Sequence, residues 1–97
     1  NLLAKLKTWQ TADISSGPVY NNDFKKALKS ISARTILMPC NQDLYFRTKD
    51  NEIEVKYIKN ASLRAVDSSF GHCAANPGND KSFELQLDKN ISELLNA

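Results

Sequence analysis

The stretch from Arg34 to Cys40 constrains this fold more than any other. Within it Thr35-Ile36-Leu37-Met38 is a short, nearly continuous apolar run, and Pro39 closes it. A run of that kind reads as a strand buried on both faces, as in a parallel sheet. Asn41-Gln42-Asp43 follows as a polar turn. A helix is predicted over about Asp50 to Lys59, with Ile53, Tyr57 and Ile58 inward. Leu63-Arg64-Ala65-Val66 then reads as a second short strand. Strand, helix and strand in this order form the βαβ unit of a parallel sheet. Two strands alone leave both edges unpaired and bury too little apolar area. The expected fold class is therefore α/β, with two parallel strands, flanking helices and the rest of the sheet missing from this chain.

The flanking segments read as helices. Leu2, Leu3, Leu6 and Trp9 recur at helical spacing with lysines between them, the pattern of a helix whose apolar face is covered. Asp13-Ile14-Ser15-Ser16-Gly17-Pro18 is loop chemistry. Asn22 or Asp23 can cap the next helix, because a short side-chain oxygen accepts from free first-turn N–H groups. Phe24, Ala27, Leu28 and Ile31 share one face of it. Ser68 to Asp80 holds Gly71, Pro77 and Gly78 and reads as a loop. Phe83, Leu87, Ile91, Leu94 and Leu95 form a closing amphipathic helix.

Composition excludes several classes. The chain has 97 residues, so one domain at most, with 13 Lys+Arg against 11 Asp+Glu. A net charge of +2 without a basic cluster gives no electrostatic case for nucleic acid. The run Ile36-Leu37-Met38 is as long as any apolar run becomes, far short of the roughly 20 residues that span a bilayer. No signal-peptide pattern is recognised at the N-terminus, and a cytoplasmic location is expected. Cys40 and Cys73 are too few for a disulfide framework and lack CxxC spacing, so two free thiols are expected and no metal site. The first residue is Asn1 rather than Met, which suggests processing or a piece of a longer chain.

In parallel α/β sheets, functional groups collect at the C-terminal ends of strands. Asp43 stands past the first strand. His72, the chain's single histidine, stands past the second in Phe70-Gly71-His72. A carboxylate that accepts from Nδ1–H of a histidine sets its tautomer and stabilises the imidazolium. Histidine can serve as base and acid near neutrality. Against this, an Asp in a turn is more often a turn former, and a His in a glycine-containing loop is more often a surface residue.

The run from Ile31 through Met38-Pro39-Cys40-Asn41-Gln42-Asp43-Leu44-Tyr45-Phe46, with Gly71-His72 beyond, resembles the C-terminal end of α/β-hydrolase-fold proteins. Within that superfamily it looks most like the homoserine O-acetyltransferase family. Thr8-Trp9-Gln10-Thr11-Ala12-Asp13-Ile14-Ser15, then Tyr20-Asn21-Asn22-Asp23-Phe24 and Ala27-Leu28, look like the segment leading from lid helices back into the core. The resemblance implies that residues 1–97 are the C-terminal portion of one α/β-hydrolase domain. Residues 1–20 would be the end of a lid segment and return loop; residues 21–97 would hold core helices and the last two strands.

The resemblance also implies a triad in chain order serine, acid, histidine. Asp43 matches the acid and His72 the histidine. No serine matches the nucleophile, since Gly17, Gly71 and Gly78 are the only glycines and none flanks a serine in a G-x-S-x-G elbow. The parent would transfer an acetyl group from acetyl-CoA to a small hydroxyl acceptor such as homoserine, without a permanently bound cofactor. The alternatives are an ester hydrolase using water and a truncated non-catalytic chain. The expected partners are small-molecule acyl donor and acceptor and the missing N-terminal part of the same protein, with a possible homodimer in the parent. The chain alone is expected to be inactive. Two positions depart from the acetyltransferase pattern: Cys73 stands where an acidic residue typically follows the histidine, and Arg47 where a proline is common. Cys73 beside His72 is a weak candidate nucleophile, because neighbouring side chains in a loop rarely face each other.

Overall fold

A computed structural model describes residues 1–96. Helix α1 spans Leu2–Thr11, α2 Phe24–Lys29, strand β1 Thr35–Leu37, α3 Thr48–Glu54, strand β2 Ala61–Leu63 and α4 Lys81–Leu95, with one 3₁₀ turn at Gly71–Cys73. The two strands pair in parallel, Thr35 opposite Ala61 and Leu37 opposite Leu63. The expected α/β class, two parallel strands with flanking helices, is what forms.

The ladder runs further than the strands. Pro39 has no N–H to donate, yet its carbonyl accepts from Val66 N at 2.9 Å, and Asn41 N donates to Val66 O at 2.8 Å. Cys40 and Val66 thus form a further parallel bridge. This extension carries both chains, still in register, to the loops that hold Asp43 and His72.

Several expectations are corrected here. The helix over 50–59 is shorter and starts earlier, ending at Glu54. Beyond it Lys56 N bonds Ile53 O and Tyr57 N bonds Glu54 O, so the backbone tightens into turns. Asn60 O is claimed by Thr35 N at 2.8 Å, which starts β2 at Ala61 rather than at Leu63. Ile58 is buried as expected, but Ile53 is exposed. The strands are half-buried rather than buried on both faces. The face of α1 is not covered: none of its residues is buried, and Leu3 is 75% exposed.

Local chemistry explains the helix starts. Asn1 Oδ1 accepts from Leu3 N and Ala4 N at the head of α1. Asp23, not Asn22, caps α2 through Lys26 N at 2.9 Å. Asn21 and Asn22 are spent on the preceding turn, at φ of 49° and 62°, a region that Asn tolerates better than most residues. Asp80 caps α4 through Phe83 N and also accepts from Ser68 Oγ.

The core lies between the strand ends and α4. Cys40, Val66, Ala74 and Phe83 form it, with Met38 and Leu87 packed against it. Charged groups close one side. Arg34 Nη2 and Arg64 Nη2 both donate to Glu93 Oε1 at 2.7 Å, and Arg64 Nη1 reaches Asn90 Oδ1 at 2.6 Å. These bonds fasten α4 to residues flanking both strands. The molecule is a slab of 42 × 39 × 21 Å. Its radius of gyration, 15.4 Å, exceeds the roughly 12.5 Å of a compact domain this long.

Candidate active site

Asp43 and His72 meet at the C-terminal edge of the sheet, where the two loops rise on the same side. His72 Nδ1 lies 3.0 Å from Asp43 Oδ2. The other carboxylate oxygen, Oδ1, accepts from Tyr45 N at 2.7 Å and Phe46 N at 3.0 Å. The two readings of Asp43, turn former and histidine partner, are therefore not alternatives. One oxygen closes the turn and the other is free to meet the imidazole.

Burial of Asp43 by itself pushes its carboxyl up. The Phe46 N–H, the His72 ring, the Tyr45 N–H and the attraction of His72 charge outweigh that and hold it below the usual carboxylate range. The group is therefore an anion at neutral pH, and it offers His72 a fixed acceptor. With Nδ1 engaged by the acid, Nε2 is the ring nitrogen available for proton exchange with a reacting group. The His72 side chain is 45% exposed, so its outer edge can be reached.

Rings hold the imidazole in place. Tyr45 lies 4.7 Å from it between ring centroids and Phe46 5.3 Å. Trp9 of α1 stacks on Tyr45 at 6.2 Å. Trp9 thus packs against the two rings that flank the imidazole, and it is itself half-exposed. Gly71 shapes the approach of the histidine loop. Its φ is +54°, and a Cβ there would come within 3.0 Å of Gln42 O; only glycine takes both the conformation and the contact without strain.

A cleft of about 380 Å³ opens beside the pair, lined by β1 residues Ile36 and Leu37 and by Cys40, Asp43, Phe46 and His72. Cys40 is buried and Cys73 exposed, and both are free thiols. No group of three or more His, Cys, Asp or Glu side chains among the described residues could hold a metal. Among those residues no helix is long and apolar enough to cross a membrane.

Sequence reasoning placed Asp43 and His72 but missed what surrounds them. The Tyr45 and Phe46 N–H groups could have been found, since an Asp commonly accepts from backbone N–H groups two or three residues on. The side chains of Gln42, Asp67 and Ser68 carry no such local signal, because they meet across two loops.

Two parallel strands, flanking helices and polar strand ends define an α/β class, and the match to a solved hydrolase makes it the C-terminal part of an α/β-hydrolase fold. The solved structure of an acetylester hydrolase from Corynebacterium glutamicum superposes with a TM-score of 0.86 and 29% identity, over 99% of this chain and 27% of that one. An ethyl acetate hydrolase from Pseudomonas veronii is 36% identical over the whole chain. A probable esterase of C. glutamicum is 29% identical over 99% of it. The chain spans about a quarter of the length of these relatives, 27% of each. No protein-family model matches it. These relatives are hydrolases, and none of them is a homoserine O-acetyltransferase.

Proposed function

We propose that this chain supplies the acid and the histidine of a serine-dependent ester hydrolase whose remaining parts lie outside these 97 residues. The observation that carries the reading is the Asp43–His72 bond at Nδ1, which leaves Nε2 toward a reacting group. The names of the relatives point to small acetate esters as the substrate class. In the proposed reaction a serine Oγ attacks the ester carbonyl and its proton passes to His72 Nε2. His72 returns that proton to the departing alcohol, and an acyl-serine remains. Water then attacks the acyl carbon, His72 takes its proton and gives it to the serine oxygen, and the carboxylic acid leaves. Asp43 keeps the ring in the Nδ1–H tautomer throughout and balances the transient imidazolium.

The reading with acetyl-CoA as donor and homoserine as acceptor rests on the sequence words around Asp43. The hydrolase relatives favour water as acceptor, and Cys73 in place of an acidic neighbour removes a group suited to holding an amino acid.

The test is a protein of the relatives' full length that contains this chain, assayed with p-nitrophenyl acetate and ethyl acetate. His72→Ala and Asp43→Asn should each lower kcat by about 10³–10⁴-fold, as loss of a triad member does elsewhere. Formation of O-acetylhomoserine from acetyl-CoA at a rate exceeding ester hydrolysis would instead establish the transferase reading. The 97-residue chain alone should turn over p-nitrophenyl acetate no faster than free imidazole.

A further inference from the structure

We infer that Gln42 is a positioning residue for the Asp43–His72 pair, holding the histidine loop against the acid loop through both its side chain and its main chain. This rests on the proposed site, but it concerns a residue to which neither motif nor resemblance gave a role.

The geometry is specific. Gln42 Nε2 donates to Asp67 Oδ1 at 3.2 Å, and Gln42 Oε1 accepts from Ser68 N at 2.7 Å. Both partners lie on the loop that follows β2 and leads to His72. The main-chain carbonyl of Gln42 faces Gly71, immediately before His72. Three contacts thus run from the residue preceding Asp43 to the segment preceding His72. Asn41 adds a fourth, from Nδ2 to the same Asp67 oxygen at 2.9 Å, and is itself held by Thr48 Oγ1 at 2.8 Å. The bonds from Asn41 and Gln42 hold Asp67 below its ordinary value, so it is an anion across the neutral range.

Elsewhere the support behind the pair is sparse. The strands are short, and the ladder ends with the Cys40–Val66 bridge. Beyond that bridge the separation of the two loops depends on side chains. An amide suits the position because it presents a donor and an acceptor at once, matching a carboxylate and an N–H on adjacent residues. A carboxylate or an alkyl group of the same length matches one of the two at most.

The experiment reads the neutral tautomer of His72 by long-range proton–nitrogen NMR on the 97-residue chain, where it is the single histidine. Pairing with Asp43 should favour Nδ1–H, against the Nε2–H preference of a free imidazole. Gln42→Ala should lower the Nδ1–H to Nε2–H ratio by roughly threefold or more, the fold-change of one net hydrogen bond. Gln42→Glu should lower it too, by setting a carboxylate against Asp67. Gln42→Glu combined with Asp67→Asn exchanges donor and acceptor and should recover the ratio. A folded Gln42→Ala chain with the parental ratio, or a double variant without recovery, overturns the inference. If Gln42→Ala does not fold, the Gln42→Glu single and double variants decide by the same readout. Asp43→Asn separates the two levels. A ratio that responds to Asp43→Asn but not to Gln42→Ala removes the role of Gln42 alone. A ratio unmoved by Asp43→Asn removes the pair itself, and the inference with it.

Discussion

Helices α1 and α4 look alike in sequence and behave differently in the structure. Both are amphipathic, and both begin on a side-chain cap, Asn1 for α1 and Asp80 for α4. Helix α4 buries Phe83 and Asn90, packs Leu87 against the core, and is pinned by Arg34 and Arg64 through Glu93. Helix α1 leaves Leu2, Leu3 and Leu6 exposed. Its aromatic contact with the rest of the molecule is Trp9, stacked over Tyr45 and near Phe46. Capping and periodicity suffice to start a helix, but an apolar stripe stabilises the fold only where something lies across from it. The Phe83 and Leu87 face of α4 is covered for that reason. The strand ends and the 3₁₀ turn carrying Ala74 at its end provide a surface for α4 without any further strands.

The largest expected effect breaks the contrast from the α4 side. Phe83→Ala removes a ring from the centre of the core and should cost about 3–5 kcal/mol. A domain with a margin of about 5–15 kcal/mol, and less at this size, would lose most of its tertiary structure. Urea unfolding followed by tyrosine fluorescence measures this, and a cost near that of a surface substitution would show that α4 does not hold the core.

Acid should separate the two helices next. Glu93 is held below its ordinary value first by the bond from Arg64, with Arg34 assisting, while burial opposes. Asp80 is lowered by the bonds from Ser68 and Phe83 N. A carboxylate with a depressed folded value contributes stability that is fully present above its unfolded value, about 4. That contribution is lost as pH falls below 4 through the folded value. The attachment of α4 should therefore loosen below about pH 4, while α1, which carries no Asp or Glu, should keep its cap. Amide exchange resolved by helix is the measurement, and simultaneous loss of both would contradict the contrast.

A third change tests what moors α1. Trp9→Ala should weaken the contact with Tyr45 by about 0.5–1.5 kcal/mol. It should loosen the rings beside His72 without unfolding the core, seen as larger chemical-shift changes at Tyr45 and Phe46 than at Phe83. The smallest effect belongs to Leu6→Ala, expected within about 0.5 kcal/mol in urea. Leu3→Lys should likewise leave stability unchanged while lowering any self-association seen by light scattering, because it places a charge in an exposed apolar face. A substantial loss of stability from either would mean that α1 buries its stripe in solution.

Much of the site was legible because its signals are local in the chain. The Thr35–Met38 run with the polar turn after it, and the single histidine after a glycine, are each local signals, and parallel pairing brings the two loops to the same edge. What escaped the reading depends on contacts between segments. The boundaries of β2 shifted because Asn60 O pairs with Thr35 N, and α3 closed early into turns. Gln42 met Asp67 and Ser68 because the Cys40–Val66 bridge set the two loops at one height.

By itself, the sequence determined the main helices and strands, a cap at Asn22 or Asp23 for α2, and the chemistry available at the strand ends. These follow from backbone preferences and hydrogen bonds that reach only a few residues along the chain. Only the tertiary structure decided which amphipathic face is covered, where each strand begins, and that Asp43 spends one oxygen on its own turn and the other on His72. Those outcomes depend on groups far apart in sequence competing for the same partners, and no local pattern records which of them wins.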